Sequence, residues 1–174
     1  MSHSNKAHPD QILAIHPTTT GFGWALFEGP LAPVDWGVVT VQKDRNKHCL
    51  ARIQELLERL APTEIVLEQF EGNSARRSNR IRRLYRSIIQ LADTFGIRPR
   101  VFARELIGQV FATVGARTRY EIAAAIAGRL DAFSHKLPPK RKIWLPDDKR
   151  MGLFNAVALA ITFFALIDGD VFAK

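Results

Sequence analysis

Three apolar segments near the start of the chain lie so close together that antiparallel hairpins are their natural connection. They cover residues 11–16, 21–28 and 34–42, and they read QILAIH, GFGWALFE and VDWGVVTVQ. The short segments between them contain Pro, Thr and Gly, residues that favour turns, and leave no room for a crossover helix. The sequence therefore predicts a three-stranded antiparallel meander as the start of the fold.

The rest of the chain alternates between helix and strand and then becomes wholly helical. In chain order the predicted elements are a helix over 46–60, a strand over 63–70, a helix over about 74–95, a strand over 98–104, helices over 105–115 and 118–130, and a helix over about 148–166. Thr118 and Glu121 have the spacing of a capping box at one of these helix starts. This order predicts an α/β protein of the RNase H-like arrangement, with a mixed five-stranded sheet flanked by helices.

Length and composition indicate one globular domain. The chain has 174 residues, of which 47% are hydrophobic and 24% charged, a balance that excludes a largely disordered protein. We expect a disordered tail over residues 1–10 and a single domain over 11–174. The one cysteine, Cys49, excludes an intramolecular disulfide and a cysteine-cluster zinc site, and its place on the apolar side of a predicted helix favours a buried structural thiol.

The chain is strongly basic, with a formal net charge of +8, which favours an anionic partner and nucleic acid above all.

No targeting segment is visible at the N-terminus. The apolar run LFNAVALAITFFALI near the C-terminus is shorter than the roughly 20 residues that cross a bilayer, and Asn155 interrupts it. We therefore expect a helix buried in a core, no membrane partner and a cytoplasmic protein.

Arginines are concentrated in the segment NSARRSNRIRRLYRS, which contains no acidic residue. Because like charges on one helix repel, a phosphate partner explains this pattern better than a solvated helix face, which usually mixes signs. A membrane surface is the weaker alternative, since the charged face lacks bulky apolar residues. With a second basic patch in the loop before the last helix, the predicted nucleic-acid-binding residues are Arg76, Arg77, Arg80, Arg82, Arg83, Arg86, Lys140, Arg141 and Lys142.

Two polar residues stand at the ends of strands that the predicted topology makes neighbours. His16 ends the first strand and Glu68 lies within the apolar run IVLEQF of the fourth. In parallel neighbouring strands these ends meet at one edge of the sheet, where α/β proteins usually build sites. A buried carboxylate needs a partner. Glu68 can pair with an arginine or bind a metal or substrate, and the second reading is favoured.

The last predicted helix contributes three further candidates. Asp147 and Asp148 stand at its start, where capping alone can explain one of them, so that Asp147, Asp148 or neither joins the site. Asn155 lies farther along on an otherwise apolar helix. It is expected to face either the site or a buried backbone group.

Together these segments resemble the RuvC family of Holliday junction resolvases, within the RNase H-like superfamily. The resemblance extends from about Ile12 to Ile167 and is carried by LAIHPTTTGFGWAL, IVLEQF, VGARTRYEIAAAIAGRL and FNAVALAI. It implies an RNase H-like fold, a homodimer, and a DNA-recombination nuclease that nicks branched DNA with two magnesium ions held by four acidic residues. The apolar stripe of the helix over 74–95 is the expected contribution to such a dimer.

The resemblance transfers to the site only in part. Glu68 matches the second acid of the family, while His16 stands at the first acid position, Gly152 at the third and Asn155 at the fourth. The candidate catalytic residues are therefore Glu68, His16, Asp148 and Asn155. A single metal ion, magnesium or manganese, held by His16, Glu68 and Asp148 is chemically reasonable, because imidazole suits manganese better than magnesium.

Three functions follow as hypotheses. The first is a RuvC-like protein that binds branched DNA and keeps an altered, weak metal-dependent endodeoxyribonuclease site. The second is a non-catalytic dimeric DNA-binding or assembly protein that keeps only the scaffold. The third is an actin-like ATPase or sugar kinase, suggested by TTTGFG after a strand. It is disfavoured because that loop needs an aspartate and those proteins need two such domains.

Overall fold

The structure is a computed structural model that describes residues 11–70 and 79–173. The predicted disordered tail over 1–10 lies outside the described residues, as do Arg76 and Arg77 of the arginine-rich segment.

The mixed five-stranded sheet predicted from the order of elements is confirmed. Its strands are β1 (Ile12–Pro17), β2 (Gly21–Phe27), β3 (Pro33–Thr40), β4 (Glu64–Glu68) and β5 (Arg98–Phe102). They lie in the order β3-β2-β1-β4-β5. The pairs β1–β2 and β2–β3 are antiparallel, whereas β1–β4 and β4–β5 are parallel. The central strand β1 therefore joins the meander to the parallel half of the sheet.

The helices also follow the predicted order. They are α1 (Arg45–Leu60), α2 (Asn79–Thr94), α3 (Arg104–Ala112), α4 (Arg119–Arg129) and α5 (Arg150–Asp168). The capping box at the start of α4 is confirmed, because Thr118 Oγ1 accepts the backbone N–H of Glu121 at 3.2 Å and Glu121 Oε2 accepts that of Thr118 at 3.0 Å. Backbone N–H groups of Arg117 and Thr118 lower the pKa of Glu121.

Helices cover both faces of the sheet because side chains of the central strands alternate between two apolar clusters. Leu13 and Ile15 pack with α1 and α2, whereas Ile12 and Ala14 pack with α3, α4 and α5. The apolar stripe of α2 belongs to the first cluster, so the expectation that it contributes to a dimer interface is corrected: it packs within the chain's own core. Cys49 is buried on α1, as predicted, and burial raises the pKa of its thiol.

Helix α5 forms the centre of its layer. In the described part of the chain it is the one helix long and apolar enough to cross a membrane, but 67% of that apolar segment is buried inside the fold. Its buried residues include the phenylalanines Phe154 and Phe164. The burial agrees with the core helix expected from the sequence.

The first turn of α5 lies directly against β2 at two glycines. A Cβ atom at Gly23 would collide with the backbone of Gly152, and a Cβ atom at Gly152 would lie 2.9 Å from the methyl carbon of Thr18. Gly23 is also the residue that pairs with His16 across β1 and β2. The absence of a side chain at Gly23 thus lets the helix reach the sheet beside the ends of the central strands.

We expect Gly23→Ala to lower the free energy of unfolding by about 2 kcal/mol or more, because the obstructing atoms are backbone and cannot rotate away. The matched control is Gly108→Ala within α3, where an added Cβ meets nothing within 4 Å. That change should stabilise the protein by roughly 0.5–1 kcal/mol through helix propensity. Urea unfolding measures both. Equal effects of the two substitutions would contradict the close approach of α5 to β2.

Candidate functional site at the ends of the central strands

The structure brings His16 and Glu68 together, as the strand order predicts. The parallel pairing of β1 and β4 places Ala14 opposite Val66, and both polar residues lie two positions farther along their strands. The Nδ1 atom of His16 lies 3.5 Å from Oε2 of Glu68, and each side chain is only 4% exposed. The two groups form a buried pair at the carboxyl ends of the strands, which we call the strand-end cluster together with Arg104, Arg119 and Asn155.

Arg104 is the second charged neighbour of Glu68. As the first residue of α3, it places Nη1 3.5 Å from the other carboxylate oxygen, Oε1. Its own side chain remains 44% exposed. The favoured reading of Glu68 as a metal or substrate ligand therefore gives way to its alternative, because the buried carboxylate is compensated by an arginine.

A second arginine, Arg119, enters the same neighbourhood from the first residue of α4. The pKa of Arg119 is lowered, chiefly by burial and next by the positive charge of the nearby Arg104 guanidinium. The negative charges of Glu68 and Asp147 oppose this shift. The group stays protonated, since arginine does not deprotonate in proteins. Two cations thus converge on one carboxylate.

Sequence reasoning missed Arg104 and Arg119, yet a signal was present. Each is the first residue of its helix, where the positive end of the helix dipole disfavours a cation by a few tenths of a kcal/mol or more. A nearby negative partner offsets this cost, although the pattern alone does not identify the partner, since α1 also begins with an arginine, Arg45. Glu68 is that partner for Arg104.

Asn155 faces the site rather than the apolar core around it. Its half-buried side chain helps to line a cavity of about 10 Å³, large enough for about one water molecule. The other polar residues lining this cavity are Glu68, Arg104 and Arg119. Gly152, one turn earlier on α5, contributes no side chain, and Thr18 occupies the space into which one would project.

Asp148 does not join this cluster. Arg150, two residues later, donates to its carboxylate from the backbone N–H at 2.9 Å and from Nη2 at 2.8 Å. These hydrogen bonds, foremost that of the arginine side chain, lower the pKa of Asp148. Asp147 is likewise paired, with Arg141 Nε at 3.1 Å. The two acids before α5 therefore serve local ion pairs at the start of the helix.

The residues that the structure describes do not form the metal site expected from the resemblance. Across residues 11–70 and 79–173, no three His, Cys, Asp or Glu side chains are grouped so as to hold a metal ion. Magnesium requires several oxygen ligands in an octahedron. Glu68 is the only carboxylate of the strand-end cluster, and the guanidinium groups of Arg104 and Arg119 would repel a cation there. The predicted trio of His16, Glu68 and Asp148 thus reduces to the pair of His16 and Glu68.

The arginines of α2 fall into different environments. Arg80, predicted to bind nucleic acid, holds the β1–β2 turn: its guanidinium donates to Asn46 Oδ1 at 3.1 Å and to the carbonyls of Thr18 and Thr19 at 3.2 and 3.0 Å. Arg82 is half-buried. Arg83 and Arg86 are exposed on the face opposite the apolar stripe. Among the arginines described on this helix, only Arg83 and Arg86 are exposed to solvent.

The second predicted basic patch lies in the loop before α5. Lys140, Arg141 and Lys142 are exposed there. The loop, the start of α4 and the start of α5 enclose a cavity of about 460 Å³ that also contacts Arg119 and Asn155. The basic loop and the strand-end cluster are therefore continuous.

The charge balance of the strand-end cluster gives a test. We expect Glu68→Gln to lower the free energy of unfolding by about 1–3 kcal/mol, because it removes the charge that compensates Arg104. Half-exposed Arg104 can turn to solvent, which limits the loss. The control is Glu28→Gln at an exposed turn, where the change should stay within about 0.5 kcal/mol. A cluster of mutually repelling acids would respond oppositely. A rise in the stability of the Glu68→Gln protein would contradict the ion-pair reading.

Comparison with known proteins was informative only at the level of structure. The sequence matches no protein-family model and no curated protein. Solved structures match over 92% of the chain. They include Thermus thermophilus RuvC alone, with 20% identity and a TM-score of 0.66, and the same protein in complex with a Holliday junction substrate, with 19% identity and a TM-score of 0.65.

The yeast mitochondrial Holliday junction resolvase is a further match, with 12% identity and a TM-score of 0.63. The aligned region spans 97% of the RuvC chains and 80% of the yeast chain. The strand order and the flanking helices agree with those proteins. The chain thus has the RuvC-like form of the RNase H-like fold.

Proposed function

We propose that this protein binds branched DNA through a resolvase scaffold and does not cleave it with metal ions. The observation that carries the proposal is the charge of the strand-end cluster, where one carboxylate is matched by Arg104, with Arg119 close by. Of the functions predicted from the sequence, this favours the non-catalytic one.

The basic surface supports a DNA partner. The chain has a net charge of +8, and Arg83, Arg86, Lys140 and Lys142 are exposed. Such cations bind phosphates irrespective of base sequence. One of the solved structures that shares this fold holds a Holliday junction substrate, which supports branched DNA in preference to other anions.

The arginines of the strand-end cluster supply positive charge without a metal ion. A guanidinium can bind a phosphate oxygen directly and bidentately. Hydrolysis needs more than charge, since a water molecule must lose a proton to a base. The only carboxylate of the cluster, Glu68, is already paired with Arg104 and lies beside His16. The cluster is therefore suited to hold a phosphate and poorly suited to activate water.

A second candidate function, weak manganese-dependent nicking, is favoured by one observation. His16 Nδ1 and Glu68 Oε2 lie 3.5 Å apart, and an imidazole with a carboxylate is a donor set that manganese accepts better than magnesium does. This candidate requires Arg104 to move away from Glu68. It predicts junction nicking in manganese that His16→Ala abolishes.

Metal dependence separates the two candidates. The wild-type protein should show no magnesium-dependent rise in melting temperature and no nicking of a four-way junction in magnesium or manganese. The variant combining His16→Asp, Asn155→Asp and Arg104→Gln adds two carboxylates near Glu68 and removes a competing cation. Its melting temperature should rise with millimolar magnesium, because binding to the folded state stabilises it.

Two results of this experiment would count against the non-catalytic proposal. Manganese-dependent nicking by the wild type that is lost in His16→Ala would replace the non-catalytic proposal by the nuclease. A magnesium response of the wild type equal to that of the triple variant would contradict our reading of the strand-end cluster.

DNA binding is tested at α2. Combining Arg83→Ala with Arg86→Ala should weaken binding to all DNA sequences and reduce the slope of log affinity against log salt by about 2, since each phosphate contact contributes about 0.9. The control removes the same charge from α1 by Arg52→Ala with Arg59→Ala, two arginines engaged by Glu55 and Asp35. Fluorescence anisotropy over a salt series measures both. Equal losses in the two double variants would show a dependence on net charge alone.

Arg80 differs from its neighbours on α2. Arg80→Ala should chiefly lower the melting temperature, because its guanidinium holds the carbonyls of Thr18 and Thr19. A loss of DNA affinity with unchanged stability would instead return Arg80 to the predicted phosphate-binding set.

A homodimer remains part of the proposal. A four-way junction has two-fold symmetry, which a symmetric dimer can match. Light scattering at micromolar concentration, with and without a junction, tests this. Because the apolar stripe of α2 packs within the chain, other surfaces would form the interface. The cytoplasmic location stays a prediction.

A further inference from the structure

The loop before α5 presents three consecutive large apolar residues to solvent. Ile143 is 92% exposed, Trp144 77% and Leu145 48%. Single exposed apolar residues are ordinary, but a run of this kind at the tip of a loop marks a binding surface. None of the DNA-binding residues predicted from the sequence is apolar, so the proposed function does not account for this exposed apolar run.

The tip of this loop is a closed turn. The backbone N–H of Leu145 donates to the carbonyl of Lys142 at 3.0 Å, which leaves Ile143 and Trp144 at the two central positions. Arg141 Nη1 donates to the carbonyl of Leu145 at 2.7 Å, and its Nε pairs with Asp147 at 3.1 Å. The turn over 142–145, hereafter the Trp144 turn, is thus held in shape before any partner arrives.

The surroundings of the Trp144 turn are cationic. Residues 136–150 contain six Lys or Arg and two Asp, a net charge of 6 − 2 = +4. Both acids are paired, Asp147 with Arg141 and Asp148 with Arg150. The Nζ atom of Lys142 lies 5.6 Å from the centre of the Trp144 ring. Aromatic faces among cations are the combination that binds unstacked bases together with their phosphates.

The position of the turn favours DNA over other partners. Lys140 and Arg141, which directly precede the turn, line the 460 Å³ cavity together with Arg119 and Asn155. Because Arg141 also holds the carbonyl of Leu145, the turn is linked to the strand-end cluster through one residue. Contact between the Trp144 turns of two copies is disfavoured, because it would bring two equally basic loops together. A membrane surface has no comparable link to the strand-end cluster.

We propose that the Trp144 turn is a stacking wedge for branched DNA. Trp144 lies against a base that is unpaired or exposed at the branch, Ile143 and Leu145 exclude water from its edges, and Lys140 and Lys142 hold the flanking phosphates. Stacking is independent of base identity, because every base has an aromatic face. The inference rests on the proposed function for DNA binding and adds recognition of the branch itself.

The test compares a four-way junction with a linear duplex of the same sequence. Trp144→Ala should weaken junction binding by roughly 5- to 100-fold and leave duplex binding nearly unchanged. The salt slope should also be unchanged, because no cation is removed. Trp144→Phe should restore most of the affinity. The control, Arg83→Ala on α2, lies outside the turn and should weaken both DNAs alike and lower the salt slope by about 1.

A fluorescent base at the branch gives a second readout. The signal of 2-aminopurine placed there should be quenched when wild-type protein or Trp144→Phe binds, and not when Trp144→Ala binds. Circular dichroism shows whether each variant is folded; because the turn is exposed, folding should be unaffected. Equal losses on junction and duplex, or no loss on either, would overturn the wedge.

Alternative partners have their own outcomes. A blue shift of tryptophan emission with phosphatidylglycerol vesicles that Trp144→Ala removes, with junction binding intact, would assign the turn to a membrane and overturn the inference. A change from dimer to monomer in Trp144→Ala, again with junction binding intact, would assign it to self-association. Failure of the wild type to bind any DNA would refute the proposed function instead, so the two failures are distinguishable.

Discussion

The contact between β2 and the first turn of α5 determines where α5 lies on the sheet and which of its residues reach the candidate site. Because Gly23 has no side chain, the backbone of α5 reaches the sheet at Gly152. This anchors the start of α5, the longest helix among the described residues, which packs along β1 and β2 and forms much of one apolar layer. The same contact places Asn155 beside the carboxyl end of β4, where it lines the small cavity with Glu68. It also leaves Gly152 without room for a side chain.

That last consequence connects packing to chemistry. An acidic residue at position 152 would need the space that Thr18 occupies and would weaken the approach of α5 to the sheet. With His16 at the end of β1, the carboxylates of the cluster reduce to Glu68. A buried carboxylate needs compensation, and among the described residues Arg104 contributes it. Among the described residues, one carboxylate with two nearby guanidinium groups gives the cluster a charge balance that favours a phosphate oxygen over a divalent cation.

The sequence was sufficient to predict the fold and the meeting of His16 with Glu68, since both follow from strand order and hydrophobic alternation. It was insufficient for Arg104 and Arg119, which reach Glu68 from helices that follow later in the chain; their distances depend on how those helices pack. The sequence left open whether Asp147, Asp148 or neither joins the site. In the structure Arg150 holds the Asp148 carboxylate at short range, a local contact that the order of strands does not reveal. Arg80 shows the same limit, because helical spacing places it on a polar face but does not reveal the carbonyls of Thr18 and Thr19 within its reach.

The arginines of this basic chain therefore have separable tasks. Arg80 supports the β1–β2 turn, Arg104 compensates Glu68, and Arg141 braces the Trp144 turn through Leu145 and Asp147. Of the predicted DNA-binding residues that the structure describes, those exposed to a polyanion lie on α2 and in the loop before α5. An arginine that makes hydrogen bonds or ion pairs within the fold would have to break them to bind DNA, which would lower the stability of the fold. An exposed cation can bind phosphate without breaking such contacts. Affinity should consequently come from the surface, and shape recognition from the fixed elements between its two basic patches. In the proposed function the strand-end cluster and the Trp144 turn are those elements, and they are linked by Arg141, which lines the cavity with Arg119 and Asn155 and holds the turn at Leu145.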